Sequence, residues 1–249
     1  MNLNEGLLTY IAKSGFENPM TYYLMMLGFA LLSFTCAYLL GSVNSAIIIS
    51  KALYKDDVRK HGSGNPGLTN MLRTFGKGAA GLTLLGDMLK TVLAILICAF
   101  FFGFNYVAGI STGDGFCYIA GLFAVIGHVF PIYYKFKGGK GVLATSTMAL
   151  MLSPVPFLIL LAVFVIIVAI TKYVSLGSVT VAVLYPVCVS GYFKVAFSTA
   201  PRQEPGLCAL ATIILAILIV WCHRENLKRI SDRTERKISF KSKKSNEEK

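Results

Sequence analysis

Two short segments rich in glycine and basic residues have the composition of an anion-binding site. Residues 61–73, the first loop, have the sequence HGSGNPGLTNMLR, and residues 135–141, the second loop, have the sequence KFKGGKG. Closely spaced glycines allow backbone N–H groups to converge on an anion, and neighbouring cations add fixed positive charge. Because both loops lie between long apolar segments, we predict a phosphate-handling site at a membrane surface.

The first loop combines glycines with small polar side chains. Glycines permit positive φ, and hydroxyl and amide groups add neutral hydrogen-bond partners. The candidate binding residues are Ser63, Gly64, Asn65, Gly67, Thr69, Asn70 and Arg73. A helix starting near Leu68 would aim its N-terminus at the same anion, which Arg73 could grip bidentately. The alternative is a glycine-bearing turn whose charges serve only topology; a Walker loop is excluded because its G-x-x-x-x-G-K-[ST] pattern is missing.

The second loop places a lysine among three glycines just before a predicted helix. Its candidate binding residues are Gly138, Gly139, Lys140 and Gly141. Lysines alone could be a topology signal, but topology requires no glycines, which are useful where a ligand must approach the backbone. We therefore predict that this loop also binds an anion.

Further polar residues lie at the ends of apolar segments. His223 and Asn226 share one face if a helix leaves the membrane there, and Glu235 lies three turns further on. Ser178 belongs to a YVSLGS turn. His128 is equally well explained as an interfacial residue or a functional one. Asp87 and Lys90, spaced i, i+3 within an apolar segment, are better explained as a mutual ion pair than as catalytic groups.

The composition places these residues in an integral membrane protein. Of 249 residues 55% are hydrophobic and 14% are charged, and the mean hydropathy is +0.65. A membrane-spanning helix needs about 20 apolar residues. We predict an all-α, polytopic fold with seven transmembrane helices at 24–49, 79–102, 116–134, 141–152, 155–170, 176–193 and 207–222. The fourth is too short for a straight span, so six spans remain the alternative.

The distribution of lysine and arginine predicts the orientation. Of 24 basic residues, 20 follow the first, third, fifth and seventh spans, three lie in the alternate connections or the N-terminal stretch, and Lys90 lies inside a span. Cytoplasmic loops carry the excess of positive charge. The N-terminus is therefore predicted outside, and the C-terminus and both loops in the cytoplasm. This topology also explains the net charge of +12, so no nucleic-acid partner is predicted.

The chain divides into one membrane domain with two polar ends. Residues 1–23 are predicted to be an extracytoplasmic lead-in, 24–232 a single seven-helix domain, and 233–249 a basic, disordered cytoplasmic tail. Contact of this tail with anionic lipid headgroups is an open alternative to simple solvation. No clustered histidine or carboxylate ligands occur in either loop, so we predict no metal. We also predict no cofactor and no obligatory protein partner.

Together these segments resemble the bacterial acyl-phosphate:glycerol-3-phosphate acyltransferases, the PlsY family. The resemblance rests on GSGNPGLTNMLR, GHVFP, KFKGGKG, YVSLGS and HRENLKRISDRTE in order, and covers nearly all of the chain after its first thirty residues. It implies transfer of an acyl group from acyl phosphate to the 1-hydroxyl of sn-glycerol 3-phosphate, giving lysophosphatidic acid and phosphate in the bacterial cell membrane. One departure is Asn44-Ser45, where the family usually has Pro-Phe.

The resemblance also implies residue roles. Arg73, Lys140, Ser178 and His223 would hold glycerol phosphate, and the first loop would hold acyl phosphate. His223, Asn226 and Glu235 would be the catalytic residues. An acyl phosphate is already activated, so the enzyme must mainly align it and neutralise its charge. The general base is either His223 or a phosphate oxygen of the donor.

Other classes of function fit the pattern less well. A transporter for phosphorylated metabolites would place its cations near the bilayer midplane and within repeated halves, but no repeat is found. A lipid-binding scaffold would need only the basic tail. Acyltransferases with a His-x-x-x-x-Asp pattern are excluded because Pro66, Tyr133 and Lys228 follow the three histidines at that spacing.

Overall fold

The computed structural model describes residues 6–13, 15, 18–103, 112–196 and 206–238. Across these residues the chain is helical, with no strand, as the apolar segments predict. The helices are α1 Gly6–Lys13, α2 Pro19–Ser42, α3 Ser45–Tyr54, α4 Leu68–Phe102, α5 Thr112–Val129, α6 Val142–Leu152, α7 Pro154–Thr171, α8 Val174–Ala196, α9 Gly206–Cys222 and α10 Arg224–Ser231.

The length and apolar surface of these helices suit a bilayer. In the described part of the chain, five segments could each cross a membrane: Pro19–Tyr54, Leu68–Phe102, Asp114–Tyr134, Pro154–Thr171 and Val174–Val195. The pair α9 and α10, bent by 53°, makes a sixth candidate. Large apolar side chains face outward along α7, such as Ile170 at 77% exposure. Such a surface is stable against lipid rather than water.

The predicted fourth span corresponds to a short helix, α6. With 11 residues, α6 is about 16 Å long and does not reach the length of a straight span. Its C-terminal end meets polar groups of its neighbours: the Tyr118 hydroxyl donates to Leu152 O at 3.5 Å, and Ser153 Oγ lies 3.2 Å from the Tyr185 hydroxyl. These contacts satisfy polar groups where the chain turns into α7, as a low-dielectric environment requires.

The predicted first span is broken near its C-terminal end. The sequence predicts one helix over 24–49, but α2 ends at Ser42 and α3 begins at Ser45. Asn44 caps α3, accepting from Ile47 N at 3.0 Å, and also donates to Pro66 O at 3.3 Å. The freed carbonyl of Val43 accepts a hydrogen bond from Lys90 Nζ at 2.6 Å. The break therefore ties α2 and α3 to the first loop and to α4.

Helix α4 begins at Leu68, where the sequence predicted a helix start, and it extends well beyond the predicted span 79–102. Gly76 interrupts it with a φ of 84°, so residues 68–75 form a separate helical segment ahead of the apolar part. A positive φ of this kind is readily adopted only by glycine. The break gives the first loop its own short helix at one end of the bundle.

The N-terminal residues contain more helix than predicted. Within the predicted lead-in 1–23, residues Gly6–Lys13 form α1, and α2 starts at Pro19 with Asn18 as its cap. Helix α1 packs against the Phe102 end of α4, where a Cβ on Gly6 would lie 2.2 Å from Gly103 N. This is the end of α4 opposite to the first loop.

Helices α2 and α5 cross at very short range because glycines replace side chains at the crossing. A Cβ on Gly41 would lie 2.1 Å from Ala124 O, and one on Gly127 would lie 2.3 Å from Tyr38 O. Small residues permit this close approach of backbones in membrane helices.

We expect Gly127→Ala to reduce the free energy of unfolding by about 1–3 kcal/mol, because the added methyl group must push α2 away from α5. Thermal unfolding of purified protein in detergent measures the effect. Gly81→Ala is the matched control, since a Cβ at Gly81 of α4 has no neighbour within 4 Å. Equal losses in the two variants would contradict this account of the crossing.

Candidate active site

A cavity of about 490 Å³ lies where both loops meet the N-terminal end of α8 and the residues around α10. Of the fifteen predicted site residues, twelve line it: Ser63, Asn65, Gly67, Thr69, Asn70, Arg73, Lys140, Gly141, Ser178, His223, Asn226 and Glu235. Gly64, Gly138 and Gly139 are not among its lining residues. Arg73 and Lys140, which come from separate parts of the chain, thus face one space.

The first loop is held in shape by Asn70. The buried Asn70 amide donates to Val58 O and to His61 O, both at 3.0 Å, and its oxygen accepts from Ser63 N at 3.1 Å. Gly62, with a φ of 58°, leaves room for that oxygen, which a Cβ at Gly62 would approach to 2.2 Å. These contacts occupy the side chain of Asn70, which therefore organises the loop.

The first loop ends at the N-terminus of α4, which borders the cavity. Gly67 caps this helix in an extended conformation with a φ of −153°, so the expectation of positive φ holds for Gly62 and Gly64 but not for Gly67. Backbone N–H groups in the first turn of a helix have no intrahelical acceptor and favour an anion. Leu68 and Thr69, which line the cavity, supply them. Arg73 is exposed one turn later.

The second loop folds back onto the end of α5. Gly138 N donates to Val129 O at 3.1 Å, and Gly139 N donates to His128 O at 3.0 Å. A Cβ on Gly138 would lie 2.0 Å from His128 O, and one on Gly139 would lie 2.1 Å from His128 Nε2. These two glycines were predicted to wrap a substrate, but the structure uses their amides and their small size to seat the loop on α5. The cavity is lined instead by Lys140 and Gly141.

Lys140 connects to a partly buried network of polar side chains. Its ammonium donates to Asn226 Oδ1. Asn226 Nδ2 donates to Glu235 Oε1 at 2.7 Å, Ser175 Oγ donates to the same oxygen at 2.9 Å, and Arg229 Nε donates to Glu235 Oε2 at 2.8 Å. The Glu235 carboxylate thus orients Asn226, which in turn orients Lys140.

The charges of this network shift two pKa values. Burial lowers the pKa of Lys140, and the nearby Arg229 lowers it further. Burial alone would raise the pKa of Glu235, but hydrogen bonds from Asn226, Arg229 and Ser175 outweigh burial and leave this pKa below its usual value. Glu235 is therefore a carboxylate at neutral pH and a poor proton acceptor.

The chain does not reach Glu235 along the one continuous helix that the sequence predicted. His223 lies at the bend between α9 and α10, and α10 ends at Ser231. Arg233 then adopts a φ of 57°, the chain turns back, and Glu235 N donates to Arg229 O at 3.0 Å. The prediction of one continuous helical face is wrong, because the chain reverses after α10. The reversal nevertheless brings Glu235 to Asn226.

The predicted tail also begins with ordered contacts. Ile238 N donates to Lys172 O at 2.9 Å, and the Lys237 ammonium lies 5.5 Å from the centre of the Tyr173 ring. Thr234, Glu235, Arg236 and Ile238 line the cavity. Residues 234–238 therefore form one wall of the site, whereas 239–249 lie outside the described residues.

In the part of the chain that the structure describes, the His223 ring makes a hydrogen bond through Nδ1 and none through Nε2. Its Nδ1 lies 2.8 Å from Ile219 O, and a carbonyl oxygen only accepts, so Nδ1 carries the hydrogen. In the neutral ring the lone pair is then on Nε2. His223 is buried and lines the cavity. This geometry suits a group that accepts a proton from a bound hydroxyl.

Several cavity residues were not predicted as site residues. Asp87 and His128 reach it from α4 and α5, and Ser146, Ser175, Arg229 and Arg236 also line it. Arg229 could have been found by extending the i, i+3 spacing from Asn226 by one more step. The sequence drew attention to Asp87 and His128 separately, but it could not show that they meet, because they lie on different helices and far apart in the chain.

The fold and the site define a class: a helical integral membrane protein with a cation-lined cavity suited to an anionic ligand. Comparisons with known proteins narrow this class. Residues 31–233 match the family model described as glycerol-3-phosphate acyltransferase. Similar relatives of that name occur in Clostridioides difficile (strain 630), 40% identical over 82% of this chain and 93% of the relative, and in Bacillus subtilis (strain 168), 37% identical over 82% and 95%.

Solved structures agree with the sequence matches. Crystal structures of PlsY, an integral membrane glycerol 3-phosphate acyltransferase, are similar in its glycerol 3-phosphate form, with a TM-score of 0.71, and in its lysophosphatidic acid form, with 0.69. Both share 31% identity with this chain and cover 84% of it, and the chain covers 96% and 95% of them. The chain belongs to the glycerol-3-phosphate acyltransferase family, as the sequence predicted.

Proposed function

We propose that the protein transfers a fatty acyl group from acyl phosphate to the 1-hydroxyl of sn-glycerol 3-phosphate, in the first acylation step of phospholipid synthesis. The products are lysophosphatidic acid and inorganic phosphate. The observation that carries this proposal is the convergence of Arg73, Lys140 and His223 on one cavity. Two cations and a base in one space match the needs of two anionic substrates and one hydroxyl.

The two substrates occupy different parts of the cavity in this proposal. The first loop and the N-terminus of α4 hold the acyl phosphate, with Ser63, Asn65 and Thr69 as hydrogen-bond partners. Arg73, Lys140, Ser178 and His223 hold glycerol 3-phosphate. Apolar residues also line the cavity and suit the acyl chain: Leu68, Val142, Leu143, Phe164, Val174 and Ile238.

The chemistry then requires one proton transfer and no covalent enzyme intermediate. The 1-hydroxyl attacks the acyl carbonyl while His223 Nε2 accepts its proton, and the bond between acyl carbon and phosphate oxygen breaks. Phosphate leaves, stabilised by the cations and by the amides at the N-terminus of α4. Asn226 and Glu235 act by positioning Lys140, since the Glu235 oxygens already accept three hydrogen bonds.

The same proposal includes the membrane topology. We place seven spans in the bacterial cell membrane, with the short α6 as the fourth, residues 1–23 leading in from outside, one domain over 24–232 and a basic tail over 233–249. The cytoplasmic placement of the C-terminus and the site is supported by the charge distribution. It is also supported by the packing of α1 at the Phe102 end of α4, away from the first loop.

An assay with purified protein in detergent tests whether acyl phosphate is the acyl donor and glycerol 3-phosphate the acyl acceptor. Given palmitoyl phosphate and glycerol 3-phosphate, the protein should release lysophosphatidic acid and phosphate in equal amounts. Palmitoyl-coenzyme A replaces palmitoyl phosphate in a parallel reaction. Product from the thioester alone would contradict the proposed donor. Movement of glycerol 3-phosphate across vesicle membranes with no acylation would contradict the enzymatic function.

The charge on Glu235 should also contribute to stability. Glu235→Gln removes charged hydrogen bonds, so we expect a loss of about 1–3 kcal/mol at pH 7. Because the folded-state pKa lies below the usual 4.5, the contribution of Glu235 is complete above that pH and disappears as pH falls through the folded-state pKa. Thermal unfolding of both proteins between pH 7 and pH 3 measures this.

The exposed Glu225 provides the control for that comparison. Its side chain is 68% exposed, and it lies 4.0 Å from Arg224. Glu225→Gln should therefore change stability little at any pH. A difference between wild type and Glu235→Gln that stays constant down to pH 3 would contradict the role assigned to the Glu235 charge.

A further inference from the structure

Lys90 lies in a buried cluster next to the proposed active site. Its ammonium has three neighbours at hydrogen-bonding distance: Val43 O at 2.6 Å, Asp87 Oδ1 at 2.9 Å and His128 Nδ1 at 2.9 Å. An ammonium has three N–H donors, and the partners of Lys90 are two hydrogen-bond acceptors and one ion-paired carboxylate. The side chain of Lys90 is 5% exposed and that of Asp87 is 2% exposed. A buried charge without such partners is costly.

Lys90 also determines which nitrogen of His128 carries hydrogen. Because His128 Nδ1 accepts from an ammonium, the hydrogen of the neutral ring lies on Nε2. Nε2 faces the second loop, where a Cβ on Gly139 would approach it to 2.1 Å. The carbonyl of His128 accepts from Gly139 N at 3.0 Å. His128 thus contacts residue 139 through its ring and its backbone.

The next residue after Gly139 is Lys140, the cation that joins the Asn226 network. Any shift of the His128 ring would move the backbone from which the Lys140 side chain starts. Asp87 and His128 line the cavity themselves, so the Asp87 carboxylate faces the space where anionic substrates are proposed to bind. Its repulsion of those substrates is small only while Lys90 neutralises it.

We propose that Asp87, Lys90 and His128 are positioning residues that hold the second loop, and with it the Lys140 ammonium, in place for glycerol 3-phosphate. The inference rests on the proposed function. Lys90 joins the break between α2 and α3 to α4 and α5, and His128 transmits that arrangement to residue 139. The cluster sets where the acceptor phosphate binds without touching it.

Kinetics with both substrates separate this role from a general loss of folding. Lys90→Met should raise the KM for glycerol 3-phosphate about tenfold or more, while the KM for palmitoyl phosphate, held by the first loop, changes less than twofold. The double variant Lys90→Met/Asp87→Asn removes both charges and should bind glycerol 3-phosphate better than Lys90→Met, yet more weakly than wild type. Unequal effects on the two KM values are not expected from a merely structural role.

Thr83→Val is the matched control, since Thr83 is buried one turn before Asp87 and its hydroxyl donates only to Ala79 O, at 2.8 Å. It should leave both KM values within twofold of wild type. If the folded double variant also keeps both values within twofold, the inference is overturned. Wild-type turnover of palmitoyl phosphate separately tests the proposed function, so the two failures can be told apart.

A measurement on the wild type covers the case in which the Lys90 variants do not fold. The ¹⁵N NMR shifts of labelled histidines distinguish a ring nitrogen that carries hydrogen from one that accepts. We expect His128 to be neutral with hydrogen on Nε2, and a His128→Gln spectrum assigns its signals. A hydrogen on Nδ1 of His128 in the wild type would overturn the inference, whatever the activity of the protein.

Discussion

Lys140→Ala should lower kcat/KM for glycerol 3-phosphate by about 10²–10³-fold. This substitution removes the half-buried cation between the second loop and Asn226, and a positioned charged donor contributes a factor of this size. The loss should appear mainly in reactions limited by glycerol 3-phosphate. Initial rates of lysophosphatidic acid release at varied glycerol 3-phosphate and saturating palmitoyl phosphate measure it.

Lys137→Ala is the control for this substitution because Lys137 belongs to the same loop, carries the same charge and is exposed to solvent. It is not among the residues that line the cavity. Its kcat/KM should stay within about threefold of the wild-type value, because solvent and salt screen the electrostatic effect of an exposed charge on the substrates. Similar losses in both variants would mean that the loop acts through its total charge and not through a positioned Lys140.

His223→Ala should reduce kcat by about 10²–10⁴-fold, the usual contribution of a positioned general base. The reason is geometric: Nδ1 is committed to Ile219 O, so Nε2 is the ring nitrogen that would take the proton of the 1-hydroxyl in the proposed reaction. Rates at saturating concentrations of both substrates report kcat directly. The folded state of the variant is checked by its thermal unfolding.

His61→Ala serves as the comparison, since His61 pairs with Asp56 at 2.6 Å and does not line the cavity. Its kcat should change less than about threefold. If His223→Ala retained more than a tenth of the wild-type kcat, the proton would have another acceptor. A phosphate oxygen of the donor is then the remaining candidate, and His223 would be reduced to binding.

Local sequence patterns predicted much of the fold and the composition of the site. Apolar length predicted the helical segments, and the predicted helix start near Leu68 is confirmed by α4. The break at Val43 could not be predicted, because its carbonyl is satisfied by Lys90, 47 residues away. The turn back after Ser231 could not be predicted either, since the Glu235 contacts that hold it include Ser175, 60 residues away.

Gly138 and Gly139 of the second loop have a different role in the structure from the one that their sequence pattern predicted. Their density predicted backbone amides free to wrap a ligand, but Gly138 and Gly139 donate to carbonyls at the end of α5. The sequence does not reveal that His128 lies against residue 139. A glycine required by a close neighbour and one required by a ligand look the same in one sequence.

The turn back after α10 makes the network vulnerable at a single exposed place. Residues 231–234 are exposed, while Glu235 beyond them joins Ser175, Asn226 and Arg229. Proteolytic cleavage between Ser231 and Glu235 would leave every helix of the bundle whole and still disconnect the carboxylate that orients Asn226. We therefore expect a single cleavage there to lower activity while the helices stay folded.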